Sequence, residues 1–181
     1  MHSVELLPDP ATERAVRDVW RRLADAGLPS LATHHHPTNR PHLTLVTTDH
    51  LPPRTHAHLK HSFAKTLPLP LRLDGPLRFS GRTKALAWAV RPDEALLRLH
   101  ETVWRTLRDA PGGGGSMNPL LDPARWVPHV TLSRSRGTVR AELPDGLFPR
   151  TSDALPGTLT GWWTSARHYD SGLRTTEHLG P

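Results

Sequence analysis

The chain has 181 residues, of which 36% are hydrophobic and none is cysteine. This length suits one domain, and the lack of cysteine excludes disulfides, thiol catalysis and cysteine-ligated metal clusters. The net charge of +6 favours anionic partners, although an Arg-rich, Lys-poor composition can also reflect a GC-rich genome.

The first half of the chain alternates predicted strands with predicted helices. The N-terminus has no basic segment followed by an apolar one, so we expect no signal peptide and a cytoplasmic protein. No apolar run approaches the ~20 residues that span a bilayer, so we expect no membrane partner. Asp9 or Thr12 can cap the first helix, Gly27 ends it, and Pro41 precedes the second strand. The predicted strands are residues 2–7 and 42–46, and the predicted helices are residues 11–26 and 52–67.

The second half repeats this alternation and ends in a hairpin. A third helix is expected to begin at Pro92 and Asp93, with apolar residues along one face. The run PGGGGS at 111–116 is typical of a flexible loop, either a natural surface loop or an engineered linker. A Ser171-Gly172 turn closes the hairpin. The predicted strands are residues 69–79, 85–90, 126–133, 158–169 and 174–179.

Two short segments recur in the same order, which suggests a duplicated lobe. The sequence VWRRL at Val19 resembles VWRTL at Val103, 84 residues later. The sequence PHLTL at Pro41 resembles PHVTL at Pro128, 87 residues later. Nearly equal offsets of about half the chain favour a repeat, although the first match alone is an ordinary helix pattern.

The second repeat contains a His-x-Thr triplet, and four such triplets occur in the chain. About one or two are expected by chance from the composition, so the bare triplet means little. Those at His36, in a loop, and His100, in a helix, are interpreted as incidental. Those at His42 and His129 share the longer pattern Pro-His-apolar-Thr-Leu, which is far rarer.

The longer pattern suits phosphate chemistry. Residues i and i+2 of a strand share a face, so His42 projects with Thr44, and His129 with Thr131. The imidazole can transfer a proton while the hydroxyl binds a phosphoryl oxygen. Two such strands side by side would provide one base and one acid. The alternative is two edge strands with ordinary half-buried His and Thr residues.

These motifs resemble those of the 2H phosphoesterase superfamily, most closely the 2′-5′ RNA ligase and RNA 2′,3′-cyclic phosphodiesterase branch. That family has two His-apolar-Thr/Ser-apolar motifs, one per lobe. Its second motif often continues with an Arg that meets the phosphate, which makes Arg134 a candidate. The chain departs from many members after its first motif, where Val46-Thr47-Thr48-Asp49 replaces an aromatic residue and a glycine.

The resemblance implies an α/β fold of the α+β type, in one domain over residues 1–181. We expect two pseudo-symmetric lobes, approximately 1–80 and 81–181, with or without exchanged strands. Each lobe would be a small, mainly antiparallel sheet covered by helices, with a cleft between them. The implied catalytic residues are His42, His129, Thr44 and Thr131, with His42 favoured as acid and His129 as base.

The implied function is metal-independent hydrolysis of an RNA or nucleotide 2′,3′-cyclic phosphate or a 2′-5′ linkage, without a cofactor. The expected partner is an RNA end or a small cyclic nucleotide or oligonucleotide, and we expect a monomer. Two alternatives remain: a non-catalytic module that binds RNA ends or cyclic nucleotides, and a 2′-5′ RNA ligase that runs the reverse reaction. The same residues would serve hydrolysis and ligation.

Further candidates for substrate binding are Arg40, Tyr169 and Trp162. Arg40 has the same strand parity as His42, and the aromatic rings can stack on a base. Two histidine clusters, at residues 34–36 and at residues 56, 58 and 61, are candidate metal sites. They lack the carboxylates and the His-Glu-x-x-His pattern of common metal hydrolases, so we expect them to be solvated and predict no metal ligand.

Overall fold

The computed structural model describes residues 1–110, 115–136, 143–149 and 158–181. Most of the predicted loop at residues 111–116 lies outside these ranges. The described parts form an antiparallel sheet of seven strands with three α-helices, so the predicted α+β class is confirmed. The strands are β1 (His2–Pro8), β2 (Leu43–Thr48), β3 (Leu69–Phe79), β4 (Lys84–Val90), β5 (His129–Ser135), β6 (Thr158–Asp170) and β7 (Thr175–Gly180).

Each helix follows from an apolar stripe and a start signal. Asp9 caps the first helix, because its side chain accepts hydrogen bonds from the backbone N–H groups of Ala11 and Thr12. Asp93 caps the third helix in the same way, through the N–H of Leu96. The second helix has no side-chain cap and begins with a proline. The helices are α1 (Pro10–Asp25), α2 (Pro53–Thr66) and α3 (Glu94–Arg108).

Gly161 allows α1 to approach the sheet closely. A Cβ atom at this position would stand 2.1 Å from Thr12 Oγ1 and 2.6 Å from Asp9 Oδ2, so only glycine fits beneath the capped helix start. The core includes Trp20 on α1, Trp88 on β4 and Trp163 on β6, which are almost fully buried.

The strands pair in the order β1-β2-β5-β4-β3-β6-β7, and β1 also pairs with β6. β6 is long enough to pair with two strands in succession: residues 158–163 pair with β3, and residues 163–170 pair with β1. The strands thus form one continuous sheet, whereas two separate sheets were expected. The pairing groups β3 with β4 and β5, although β3 precedes residue 80.

Strands β2 and β5 meet at a single residue pair, Leu43 and Val130. Beyond it, side chains replace the missing ladder hydrogen bonds. The indole N–H of Trp126 donates to the carbonyl of Thr44 at 3.2 Å, and that of Trp20 donates to the carbonyl of Thr131 at 3.1 Å. The carbonyls of both motif threonines therefore have side-chain donors where the two strands separate.

Within the described ranges, no helix combines the length and the apolar character that crossing a membrane requires.

Candidate functional site

Both predicted motifs adopt the same local geometry. Nδ1 of His42 lies 2.6 Å from the carbonyl oxygen of Arg40, and Nδ1 of His129 lies 2.7 Å from that of Val127. A carbonyl oxygen can only accept, so each Nδ1 carries the proton and donates it. Nε2 of each ring therefore stays available for proton transfer. The intervening prolines hold the preceding residues in extended backbone, which aims these carbonyls at the rings.

The meeting of β2 and β5 brings the motifs together. Leu43 and Val130 are paired and buried, so the residues before and after each of them point to the opposite face of the sheet. His42, Thr44, His129 and Thr131 share that face. Their register puts the two histidines on diagonal positions, for which separations of roughly 7–8 Å, and somewhat less between Cβ atoms, are usual.

A β-bulge follows the threonine of each motif. β1 pairs Glu5 with Thr44 and Val4 with Val46, so Leu45 is the extra residue. β4 pairs Ala87 with Thr131 and Leu86 with Ser133, so Leu132 is the extra residue. Bulges re-aim the side chains that follow them.

The bulge at Leu132 accounts for the position of Arg134. Simple alternation would put Arg134 on the face opposite Thr131. Because Arg134 pairs with Ala85 and Thr131 pairs with Ala87, the two side chains instead share one face. Arg134 is exposed on that face, where its charge acts on His129.

The buried carboxyl of Glu5 lies beside the first motif. Its Oε1 is 3.7 Å from Nε2 of His42, and its Oε2 accepts a hydrogen bond of 2.7 Å from Nε of Arg167. Ser3 Oγ also donates to Glu5, at 2.6 Å. Burial acts to raise the pKa of Glu5, but the charges of His42 and Arg167 and the hydrogen bonds outweigh it, and the pKa lies below its ordinary value. Glu5 is therefore a buried carboxylate at neutral pH.

The second motif has a different electrostatic environment. Burial lowers the pKa of His129, and the positive charges of Arg134 and His42 act in the same direction, against the hydrogen bond to Val127. The ring of Phe79 packs against that of His129, with centroids 4.6 Å apart. His129 thus favours the neutral form, whereas His42 has a buried carboxylate beside it.

The aromatic candidates lie at different places. Tyr169 pairs with Ser3 and so shares the face of Glu5, and its ring is 5.9 Å from the guanidinium of Arg167. Trp162 is 52% exposed. It lines a pocket of about 610 Å³ together with Arg72 and Arg91, and this pocket contains none of the four motif residues.

Arg40 engages the first helix. Its guanidinium donates to Glu13 at 2.6 Å, while its carbonyl accepts from His42. The incidental triplets are separate from the site: His36 is exposed, and His100 is buried, with its ring stacked on Trp126. Burial lowers the pKa of His100 to about 4, so it remains neutral and donates to the carbonyl of Leu45.

Sequence reasoning missed Glu5, Arg167 and Phe79. A lone acidic residue inside the apolar strand β1 was the available signal for Glu5, because a buried charge requires a partner. Nothing local marked Arg167 or Phe79, whose positions depend on pairing across the sheet.

Comparison with known protein families identifies the family of this chain. The sequence profile described as the 2′-5′ RNA ligase superfamily matches residues 8–160. No curated protein sequence matches this chain.

Several solved structures share the fold. A protein solved as a phosphoesterase is 17% identical, with a TM-score of 0.57, over 98% of this chain and 92% of that one. LigT of Escherichia coli in its apo form is 16% identical, with a TM-score of 0.55, over 98% and 91%. Usb1 of Kluyveromyces marxianus is 12% identical, with a TM-score of 0.50, over 98% and 96%.

Proposed function

Because the chain belongs to the 2′-5′ RNA ligase superfamily, we propose that it hydrolyses 2′,3′-cyclic phosphates at RNA ends or on nucleotides, by acid–base catalysis with two histidines. One observation carries this proposal. Two matching Pro-His-apolar-Thr segments present imidazoles on one sheet face, each with Nδ1 bound to a carbonyl and Nε2 available.

The charges around the two rings support one assignment of roles. Glu5 on β1 pairs with Thr44 of the first motif, and Ala87 on β4 pairs with Thr131 of the second, so the two residues occupy corresponding positions. Of these two positions, the one on the His42 side carries the negative charge, and the exposed positive charge of Arg134 stands on the His129 side. Protonated His42 is therefore the acid and neutral His129 the base, in line with the resemblance.

The reaction requires one proton to be removed from water and one proton to be given to the leaving ribose oxygen. Nε2 of His129 takes a proton from water as its oxygen bonds to phosphorus. The bond from phosphorus to one ribose oxygen breaks, and Nε2–H of His42 gives that oxygen its proton. The product is a ribose phosphomonoester. Thr44, Thr131 and Arg134 stabilise the negative charge on the phosphoryl oxygens.

Aromatic rings flank this centre on both sides and are proposed to contact the nucleoside. Tyr169 pairs with Ser3 on β1, and Phe79 occupies the corresponding position, opposite Ala85 on β4. LigT, which shares the fold, has been crystallised with NADP⁺, which supports a nucleotide ligand. Trp162 and the Arg40 side chain remain further candidates for substrate binding.

We propose the two-lobe arrangement on the same grounds. One lobe would comprise β1, β2, β7 and residues 163–170 of β6, and the other β3, β4, β5 and residues 158–163. The matched bulges at Leu45 and Leu132 support a pseudo-symmetric pair. The cleft would lie where the two motifs meet.

The test is an assay for opening a nucleoside 2′,3′-cyclic phosphate to a monophosphate, with EDTA present. We expect turnover by the wild type and losses of about 10²–10⁴-fold for His42→Ala and for His129→Ala. His36→Ala is the matched control, because it alters an exposed His-x-Thr triplet, and it should retain full activity. Binding without turnover would favour the binding module, and joining of RNA ends would favour the ligase. Full activity of His129→Ala would refute the mechanism.

A further inference from the structure

Three histidines and a glutamate gather at the start of β1, away from the two motifs. His56 comes from α2, His168 from β6 and Glu177 from β7, and one ligand atom of each lies within 4.8 Å of the other two. Nδ1 of His2 lies 2.9 Å from Nε2 of His168. We call these four residues the histidine cluster.

The contact between His56 and Glu177 has the spacing of shared metal ligands. Nε2 of His56 is 3.1 Å from Oε2 of Glu177, yet this buried nitrogen makes no hydrogen bond to any described residue. Two ligand atoms about 2.0–2.1 Å from a tetrahedral zinc ion stand roughly 3.3 Å apart. The two atoms are therefore close enough for a hydrogen bond, but their geometry does not form one.

The histidine cluster and the candidate catalytic site lie on opposite faces of the sheet. His168 pairs with Val4 on one side and with Glu177 on the other, so these three share a face. The next pair, Glu5 with Arg167, points to the other face, toward His42. A metal in the cluster would therefore not contact the reacting phosphate.

We propose that the histidine cluster binds one Zn²⁺ ion, through His56, His168 and Glu177. Two imidazole nitrogens and one carboxylate bind zinc better than they bind magnesium or calcium, which prefer oxygen ligands. His2 holds the ring of His168, and water fills the fourth position. The ion joins α2 to β6 and to the edge strand β7, so it stabilises the fold and takes no part in the proposed hydrolysis.

The test measures zinc binding by the untagged, full-length chain. The protein is stripped with EDTA, dialysed and titrated with ZnCl2 in a calorimeter, and its thermal unfolding is followed with and without zinc. We expect one ion per chain and a rise in Tm of about 5–10 °C when zinc exceeds its Kd 100-fold. Absence of both would overturn the proposal.

Matched variants locate the site. Glu177→Gln and His56→Ala should each weaken zinc binding at least tenfold and abolish the rise in Tm. His58→Ala and His61→Ala, at exposed positions on the same helix, should change neither. Glu177 is 58% exposed, so Glu177→Gln remains decisive if His56→Ala unfolds. Equal losses in all four variants would overturn the assignment.

The proposal is independent of the proposed function. At a temperature where the stripped protein is folded, EDTA should leave its phosphodiesterase rate unchanged. A loss of rate that zinc restores would contradict the purely structural role of the ion.

Discussion

Glu5 distinguishes the two halves of the candidate site. Its carboxylate is buried next to His42, whereas the corresponding position beside His129 is Ala87, which has no charge. The buried pair with Arg167 holds the carboxylate in place. A difference of one residue in otherwise similar strands can thus give two identical side chains opposite roles.

Replacing Glu5 with Gln tests this role. The variant keeps the size of the side chain but leaves the positive charge of Arg167 near His42, which disfavours a protonated ring. We expect the alkaline limb of the pH–rate profile to move to lower pH by about one unit or more, with the acid limb little changed. Initial rates for a nucleoside 2′,3′-cyclic phosphate across pH measure both limbs.

Ser3→Ala is the control for Glu5→Gln, because it removes a hydrogen bond to Glu5 without changing the charge. An equal shift in this variant, or none in Glu5→Gln, would contradict the electrostatic role. Loss of one partner from a buried ion pair costs about 3–5 kcal/mol of stability. The profiles are therefore recorded at a temperature where circular dichroism shows each variant to be folded.

At the scale of elements, the separation of β2 from β5 is the feature on which the site depends. Two strands that paired along their whole length would fill the space between the motifs with ladder hydrogen bonds. Here the indoles of Trp126 and Trp20 bind the threonine carbonyls instead. The bulge at Leu132 turns Arg134 toward the face of Thr131.

Trp126→Phe tests the indole contribution. The variant retains an aromatic ring beside His100 but leaves the Thr44 carbonyl without its donor. We expect a loss of about 1–3 kcal/mol in the free energy of unfolding, measured by urea denaturation. Trp162→Phe, at a half-exposed position, should stay within about 0.5 kcal/mol of the wild type. Equal stabilities of the two variants would show that the indole bond contributes nothing.

At the scale of the whole molecule, the proposed mechanism joins residues 87 positions apart. His42 and His129 interact electrostatically, and the charge of one contributes to the lowered pKa of the other. The protonation of His129 therefore depends on a residue that only the fold brings near it.

The pH–rate profile of the wild type should form a bell. The base must be neutral, so the rate rises with pH as His129 loses its proton. Because burial lowers the pKa of His129, this rise should lie below the ordinary value of 6.5. The rate should then fall at higher pH as the acid loses its proton. A rate that only rises, while circular dichroism shows the fold intact, would contradict the pairing of acid and base.

Four features follow from the sequence: the α+β class, the family, most element positions and both motifs. These features are recorded locally: alternation marks strands, an apolar stripe marks helices, Asp9 and Asp93 act as caps, and each motif lies within one strand. The prolines before His42 and His129 were visible as part of the repeated pattern. Each proline helps to place a carbonyl that binds Nδ1 of the histidine only two residues later.

The single continuous sheet and the surroundings of the motifs depend on contacts between distant parts of the chain. Glu5 binds Arg167, 162 residues away, and Trp20 binds the carbonyl of Thr131, 111 residues away. The side chain of Arg134 shares a face with Thr131 through a bulge that exists only in the pairing of β4 with β5. His56 looked like one of several solvated helix histidines until β6 and β7 brought His168 and Glu177 to it. The register between strands decides which residues become neighbours, and the periodicity of a single strand does not reveal that register.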